Sequence, residues 1–175
     1  DPEPSPTDAL VKVLKKLGLA DKKVGLDELN LRAGGIESLK ERLPGASLVP
    51  VSNMLRWVRK VKTPVEIERL RSVTRITENA VIAALGIARE GVTEYELARE
   101  FDRSIVSQGG RPHFTLIRFG RNGIAGEVVP GRTPLKRGDT IWFDVGCYLN
   151  GYWADIARIA SLGEPSPRAR SLYRA

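Results

Sequence analysis

At 175 residues, the chain has room for one ordinary domain, or for a small domain and part of another. With 42% apolar and 28% charged residues it has the make-up of a folded chain with a core rather than a disordered one. Its longest apolar run, Ala80 to Ala88, is about half of what a membrane-crossing helix needs. One cysteine and one histidine, Cys147 and His113, exclude an internal disulfide and a Cys/His zinc set, so any metal must sit among carboxylates.

No apolar signal region follows the acidic start Asp1-Pro2-Glu3, and a cytoplasmic protein with no membrane association is expected. The net charge of +7 is concentrated. From Arg103 to Arg137 seven basic residues face the single acid Glu127. Such a segment suits a solvated surface, a peptide carboxylate or nucleic acid.

After a frayed start, the spacing of Leu10, Val11, Val13, Leu14 and Leu17 predicts a short amphipathic helix over 8–17. Lys23 to Asp27 reads as a strand, Ile36 to Leu43 as a helix stopped by Pro44-Gly45, and Ser47 to Val51 as a second strand. Ser52 is a candidate cap for a helix through Arg59. This alternation suggests the tail of a small α/β domain over 1–58, with a linker at 59–63. Thr63-Pro64-Val65-Glu66 is a capping box with proline at the first helical position. The helix it opens is expected to run to about Glu90 and to end at Gly91. Thr93-Glu94-Tyr95-Glu96 repeats the box and opens a helix that ends near Gly109-Gly110.

The period then changes. His113 to Phe119 alternates as a strand, Gly120 to Pro134 reads as a loop, and Thr140 to Val145 is a strongly β-prone strand. Asn150-Gly151 signals a hairpin, with Tyr152 to Ala160 as the returning strand. Ser166-Pro167 opens a last helix.

Asp144 lies inside an apolar strand, where an ionised carboxylate needs a cation, hydrogen bonds or a raised pKa. If the two strands pair around Asn150-Gly151, Asp144 and Asp155 converge on one face. That geometry suits one divalent ion, or two ions sharing a carboxylate. Alternatively, Asp155 pairs with Arg158 and backbone amides satisfy Asp144.

Asp144-Val145-Gly146, Gly151-Tyr152 and Asp155-Ile156-Ala157-Arg158 resemble the signature of the pita-bread metallopeptidases, the superfamily of Xaa-Pro aminopeptidases, prolidases, methionine aminopeptidases and creatinases. Arg59, Val61 to Pro64, Glu66-Ile67 and Leu70-Arg71 resemble the linker and first helix of that family. Phe114, Gly120, Asn122, Pro130 and Gly138-Asp139 fall at matching intervals. The resemblance implies an α+β architecture. Residues 64–175 would form the first half of a pita-bread catalytic domain, preceded by the C-terminal part of a small α/β N-terminal domain.

The resemblance further implies a metal-dependent hydrolase of the Xaa-Pro peptidase type, acting on short peptides or a related small amide. Asp144 and Asp155 stand where the family has its first two metal ligands, for two divalent ions such as Mn, Co or Zn that activate water and polarise the scissile carbonyl. The creatinase branch usually lacks these aspartates. The family's remaining ligands, one His and two Glu, are absent after Asp155, where the one acid is Glu164. This chain alone therefore carries part of an active site and is expected to be inactive by itself.

Glu127 stands where the family commonly has a substrate-binding histidine. An ionised glutamate accepts but does not donate, so it is a candidate base or specificity residue for an amine-bearing substrate. Phe114 and Tyr152 are candidates for substrate binding, and Trp142, Tyr148 and Trp153 for packing along the cleft. His113 is off the family's histidine position, and Cys147 reads as a packed small residue. The other reading is a non-catalytic module that binds peptide or protein through the same cleft, and nucleic-acid binding is the weakest reading. Half a domain should expose apolar surface that its second half would cover or that a homodimer would bury.

Overall fold

The computed structural model describes residues 5–126 and 128–174. They fall into two compact units, Asp1–Lys62 and Thr63–Ala175.

The first unit opens on helix α1 (Pro6–Lys16). It starts two residues earlier than the apolar spacing suggests, because Ser5 closes a capping box with Asp8 and Pro6 suits the first turn. Strands β1 (Lys23–Leu26) and β2 (Ser47–Pro50) pair in parallel, with helix α2 (Gly35–Arg42) between them. Val11, Leu14, Leu26, Leu39 and Leu43 form the core of this unit.

Helix α3 (Ser52–Lys60) begins as expected but is not capped by Ser52. The Ser52 side chain is buried, donating to Asp27 at 2.6 Å and accepting from the Leu29 amide at 3.2 Å. Glu28 takes over the cap, accepting from the Val51 and Ser52 amides at 3.1 Å each. The helix also runs through Lys60, into the segment expected to be linker.

In the second unit, helix α4 (Pro64–Gly86) starts on the expected box, with Thr63 and Glu66 exchanging bonds. It ends earlier than the sequence suggests. The Ile87 and Ala88 amides turn inward to Ala84 and Leu85, and the Gly91 amide is taken by the Leu135 carbonyl at 2.8 Å. Helix α5 (Glu94–Ser107) follows on the Thr93 box.

Strands β3 (Arg111–Phe119), β4 (Thr140–Leu149) and β5 (Tyr152–Ser161) form an antiparallel meander, followed by the short helix α6 (Pro167–Arg174). Asn150 and Gly151 both have positive φ, as a two-residue hairpin turn requires. Part of the expected Gly120 to Pro134 loop is a 3-10 turn over Gly120–Ala125.

Because a strand alternates its side chains, one face of this meander carries Ile117, Ile141, Phe143, Val145, Cys147 and Ala154. These pack with Val73, Ala80, Leu97, Phe101 and Ile105 from α4 and α5. Cys147 lies within this core, its Sγ 3.1 Å from Thr77 Oγ1. Burial pushes its thiol up, so it stays protonated and inert, as a packed residue should. Among the described residues no helix is long and apolar enough to cross a membrane.

Candidate metal and peptide site

The register of the meander builds the site. Asp144 pairs with Leu116 on β3 and with Ala157 on β5, while Gly146 pairs with Phe114 and Asp155. Directly opposed residues share a face, as do residues two apart on one strand. Asp144 and Asp155 are therefore diagonal neighbours on one face, about 7–8 Å apart by sheet geometry. It is the face turned away from α4 and α5. Asp144 is half-buried and Asp155 is exposed.

Beyond the end pair of Thr140 and Ser161, four rows make up this face. Arg118, Trp142 and Ile159 form the first; Leu116, Asp144 and Ala157 the second; Phe114, Gly146 and Asp155 the third. Arg111, Tyr148 and Trp153 form the fourth, the Tyr148 and Trp153 ring centroids 4.7 Å apart. His113, at the irregularity where β3 shifts register, lies 4.2 Å from the Trp153 ring.

Gly146 explains the middle of the Asp-x-Gly segment. A Cβ placed on it would lie 2.9 Å from Phe114 Cζ, and nearer still to Phe114 Cε1 and the Ala154 carbonyl oxygen. The Phe114 ring thus lies across the glycine, beside the row of Asp144 and in the row of Asp155. Of the two proposed substrate-binding side chains, the structure brings Phe114 to the aspartates.

It does not bring Tyr152 there. Tyr152 pairs with Leu149 and so points to the other face, where its hydroxyl donates to Glu66 Oε1 at 2.9 Å. Burial, and then the Glu66 carboxylate, push its phenol above the usual range. Arg158 shares that face and pairs with Glu78 at 2.7 Å, which removes it as a partner for Asp155. Glu127 lies outside the described residues.

Among the described residues no three His, Cys, Asp or Glu side chains cluster as a metal site. Two carboxylates on one face are a hard, oxygen-only set, which fits a divalent cation as part of its shell.

Sequence reasoning missed a second polar cluster at the edge of this face. Glu94 is completely buried and accepts from the Phe119 and Gly131 amides and the Asn122 side chain. Arg118 is nearly as buried and reaches the Val129 carbonyl at 2.8 Å. The one available signal was an acid at the first helical position, ordinarily explained by the helix dipole.

Comparison with known proteins decides the family. The profile of metallopeptidase family M24 matches residues 68–175, and that of the Creatinase/Prolidase N-terminal domain matches residues 2–61. The chain belongs to metallopeptidase family M24.

This M24 chain is 26% identical over 171 residues to a putative dipeptidase of Bacillus subtilis, covering 97% of the chain and 47% of that relative. It is 29% identical over 140 residues to the Xaa-Pro dipeptidase of Pyrococcus furiosus, covering 79% of the chain and 40% of that relative. Among solved structures, it is similar to X-Pro aminopeptidase from Thermotoga maritima, with a TM-score of 0.84 and 25% identity over 96% of the chain and 47% of that structure. It is also similar to Xaa-Pro dipeptidase from Bacillus anthracis, with a TM-score of 0.81 and 28% identity, again over 96% and 47%. The M24 chain thus spans about half the length of the relatives it matches. Its α+β fold is the first part of a pita-bread domain with a smaller N-terminal unit.

Proposed function

We propose that this M24 chain contributes to a metal-dependent peptidase that cleaves short peptides of the Xaa-Pro type. Asp144 and Asp155 would supply two carboxylate ligands to a divalent site holding Mn, Co or Zn. The observation that carries the reading is the register that puts both aspartates on one sheet face, with the Phe114 ring in the row of Asp155 and beside that of Asp144. The dipeptidase names of the relatives favour hydrolysis over a non-catalytic peptide-binding module.

A bound divalent ion would supply the Lewis acidity that activates water and polarises the scissile carbonyl. The chain's own residues do the rest of the work available to this half. Asp144, set between Leu116 and Ala157, presents its carboxylate from a rigid central strand. Asp155 does so from the neighbouring edge, open to a second ion or to the partner ligands. The Phe114 ring forms an apolar wall that can seat a substrate side chain and keep water from the sheet.

The same proposal treats 1–58 and 64–175 as separate domains joined at 59–63. Trp153 and Ile159, both about half exposed, belong to the surface that the second half of the pita-bread domain or a homodimer partner would cover.

The test is metal content. In the natural full-length protein, Asp144→Asn with Asp155→Asn should abolish uptake of Mn, Co or Zn in equilibrium dialysis and abolish hydrolysis of an Xaa-Pro dipeptide. Unchanged metal content would remove the reading.

A further inference from the structure

Glu94 is the first residue of α5 and is 0% exposed. An ionised carboxylate survives in such a place when its oxygens are fully partnered. Oε1 accepts from the Phe119 amide at 3.1 Å and from Asn122 Nδ2 at 3.0 Å. Oε2 accepts from the Gly131 amide at 2.9 Å and faces Arg118 Nη1 at 3.5 Å. A Cβ at Gly131 would lie 3.4 Å from Oε2, so the carboxylate rests directly on the glycine backbone.

These donors come from two stretches of chain, the end of β3 with the turn after it, and the far end of the following loop. Two more bonds reinforce the closure. Asn122 Nδ2 also donates to Thr133 Oγ1 at 2.8 Å, and Arg118 Nη1 donates to the Val129 carbonyl at 2.8 Å. An acid at a helix start is ordinarily explained by the dipole. Here every contact leads away from the helix.

The clamp borders the aspartate face. Arg118 pairs with Trp142 in the row next to Asp144 and therefore projects from that face. Among the described residues its Nε is buried with no hydrogen-bond partner, while Glu94 and Val129 fix its Nη1. The turn reaches the same face at Gly123, where an added Cβ would lie 3.7 Å from Trp142 Cβ.

We propose that Glu94 is a positioning residue: its carboxylate clamps both ends of the segment from Phe119 to Gly131 and so sets the Arg118 guanidinium and the Gly123 turn along the edge of the aspartate face. The clamp stands on its geometry alone, while its importance for turnover rests on the peptidase reading.

Glu94→Gln tests it with almost no change in shape. The amide oxygen can keep the Phe119 and Asn122 donors, but the new NH2 meets the Gly131 N–H and Arg118, donor against donor. Amide exchange at Gly131 should accelerate about tenfold or more, while core amides such as Val145 and Phe101 keep their wild-type protection. In a Trp57→Phe, Trp153→Phe background, acrylamide quenching of Trp142 should rise with an unchanged far-UV spectrum. In the full-length protein KM for an Xaa-Pro dipeptide should rise severalfold while kcat and Mn affinity hold. Should Glu94→Gln fail to fold, Asn122→Ala removes one donor to Oε1 and should speed exchange at Phe119 by itself.

Wild-type exchange at Gly131 in Glu94→Gln, or equal acceleration at Val145, would overturn the proposal. Failure of the wild-type protein to bind metal would instead remove the peptidase reading and leave the exchange result standing.

Discussion

Gly146→Ala is the sharpest test of how the aspartate face is built. Gly146 is buried between Phe114 on β3 and the Ala154 backbone on β5. The added methyl would lie 2.9 Å from Phe114 Cζ and closer still to Phe114 Cε1 and the Ala154 carbonyl oxygen. The ring can rotate away, at the cost of its packing. The carbonyl belongs to the backbone, so β5 must move off β4 near Asp155. Overpacking costs about 1–3 kcal/mol, and each strained or lost ladder bond about 1 kcal/mol more. A loss of about 3 kcal/mol is expected, a large share of the roughly 5–15 kcal/mol that stabilises an ordinary domain.

With a urea m-value of about 2–3 kcal/mol per molar, the unfolding midpoint should fall by about 1–1.5 M. Adding Phe114→Ala should recover the ring's part of the loss and none of the carbonyl's, a coupling of about 1 kcal/mol in a double-mutant cycle. A midpoint for Gly146→Ala within about 0.3 M of wild type, outside any plausible m-value for this loss, would refute the close approach of Phe114 and β5. With it would go the argument that glycine is what lets the ring lie beside the aspartates.

Two further predictions concern pH. The Ser52 hydroxyl is the largest cause holding the Asp27 carboxyl below its usual range, and such a lowered group adds stability above its unfolded pKa that is lost as pH falls through the folded value. Ser52→Ala should therefore lower the urea midpoint by a constant margin from pH 6 to 8, and the margin should shrink below about pH 4; a pH-independent margin would contradict this. Asp102 has the opposite sign, because burial pushes its carboxyl up and the Thr115 hydroxyl at 2.6 Å only partly offsets that. Its favourable contribution is present in acid and is lost as pH rises through the raised folded value. Asp102→Asn, whose side-chain oxygen can still accept from Thr115, should thus be more stable than wild type at pH 7 and lose that advantage below about pH 4. Equal midpoints at pH 7 would count against it.

What the sequence disclosed follows from how far apart the interacting groups lie along the chain. The boxes at Thr63 and Thr93 are legible because both partners sit within one turn. The pairing of the aspartate rows is legible for a related reason: a two-residue turn at Asn150-Gly151 fixes the register, and register fixes faces. The same parity also places Tyr152 opposite Asp155's face. Tyr152 therefore faces Glu66 rather than the aspartates. The end of α4 was beyond local reading, since the Gly91 amide is claimed by Leu135 from a distant segment. Ser52 was misread in the same way, its partners Asp27 and Leu29 lying on another element.

Glu94 is the extreme case. Two of its partners are the backbone amides of Phe119 and Gly131, and a backbone N–H is carried by every residue except proline. A side chain satisfied by main chain leaves no second residue type to recognise. The capping role at this helix start falls to Glu96, two residues on, so the box does not single out Glu94. Burial alone separates the two, one a solvent-facing cap and the other a carboxylate with no exposure, and burial depends on where β3 and the following loop come to rest. A buried charge held by backbone donors is therefore the feature that sequence reading is least able to find, although its removal should disturb the edge of the aspartate face directly.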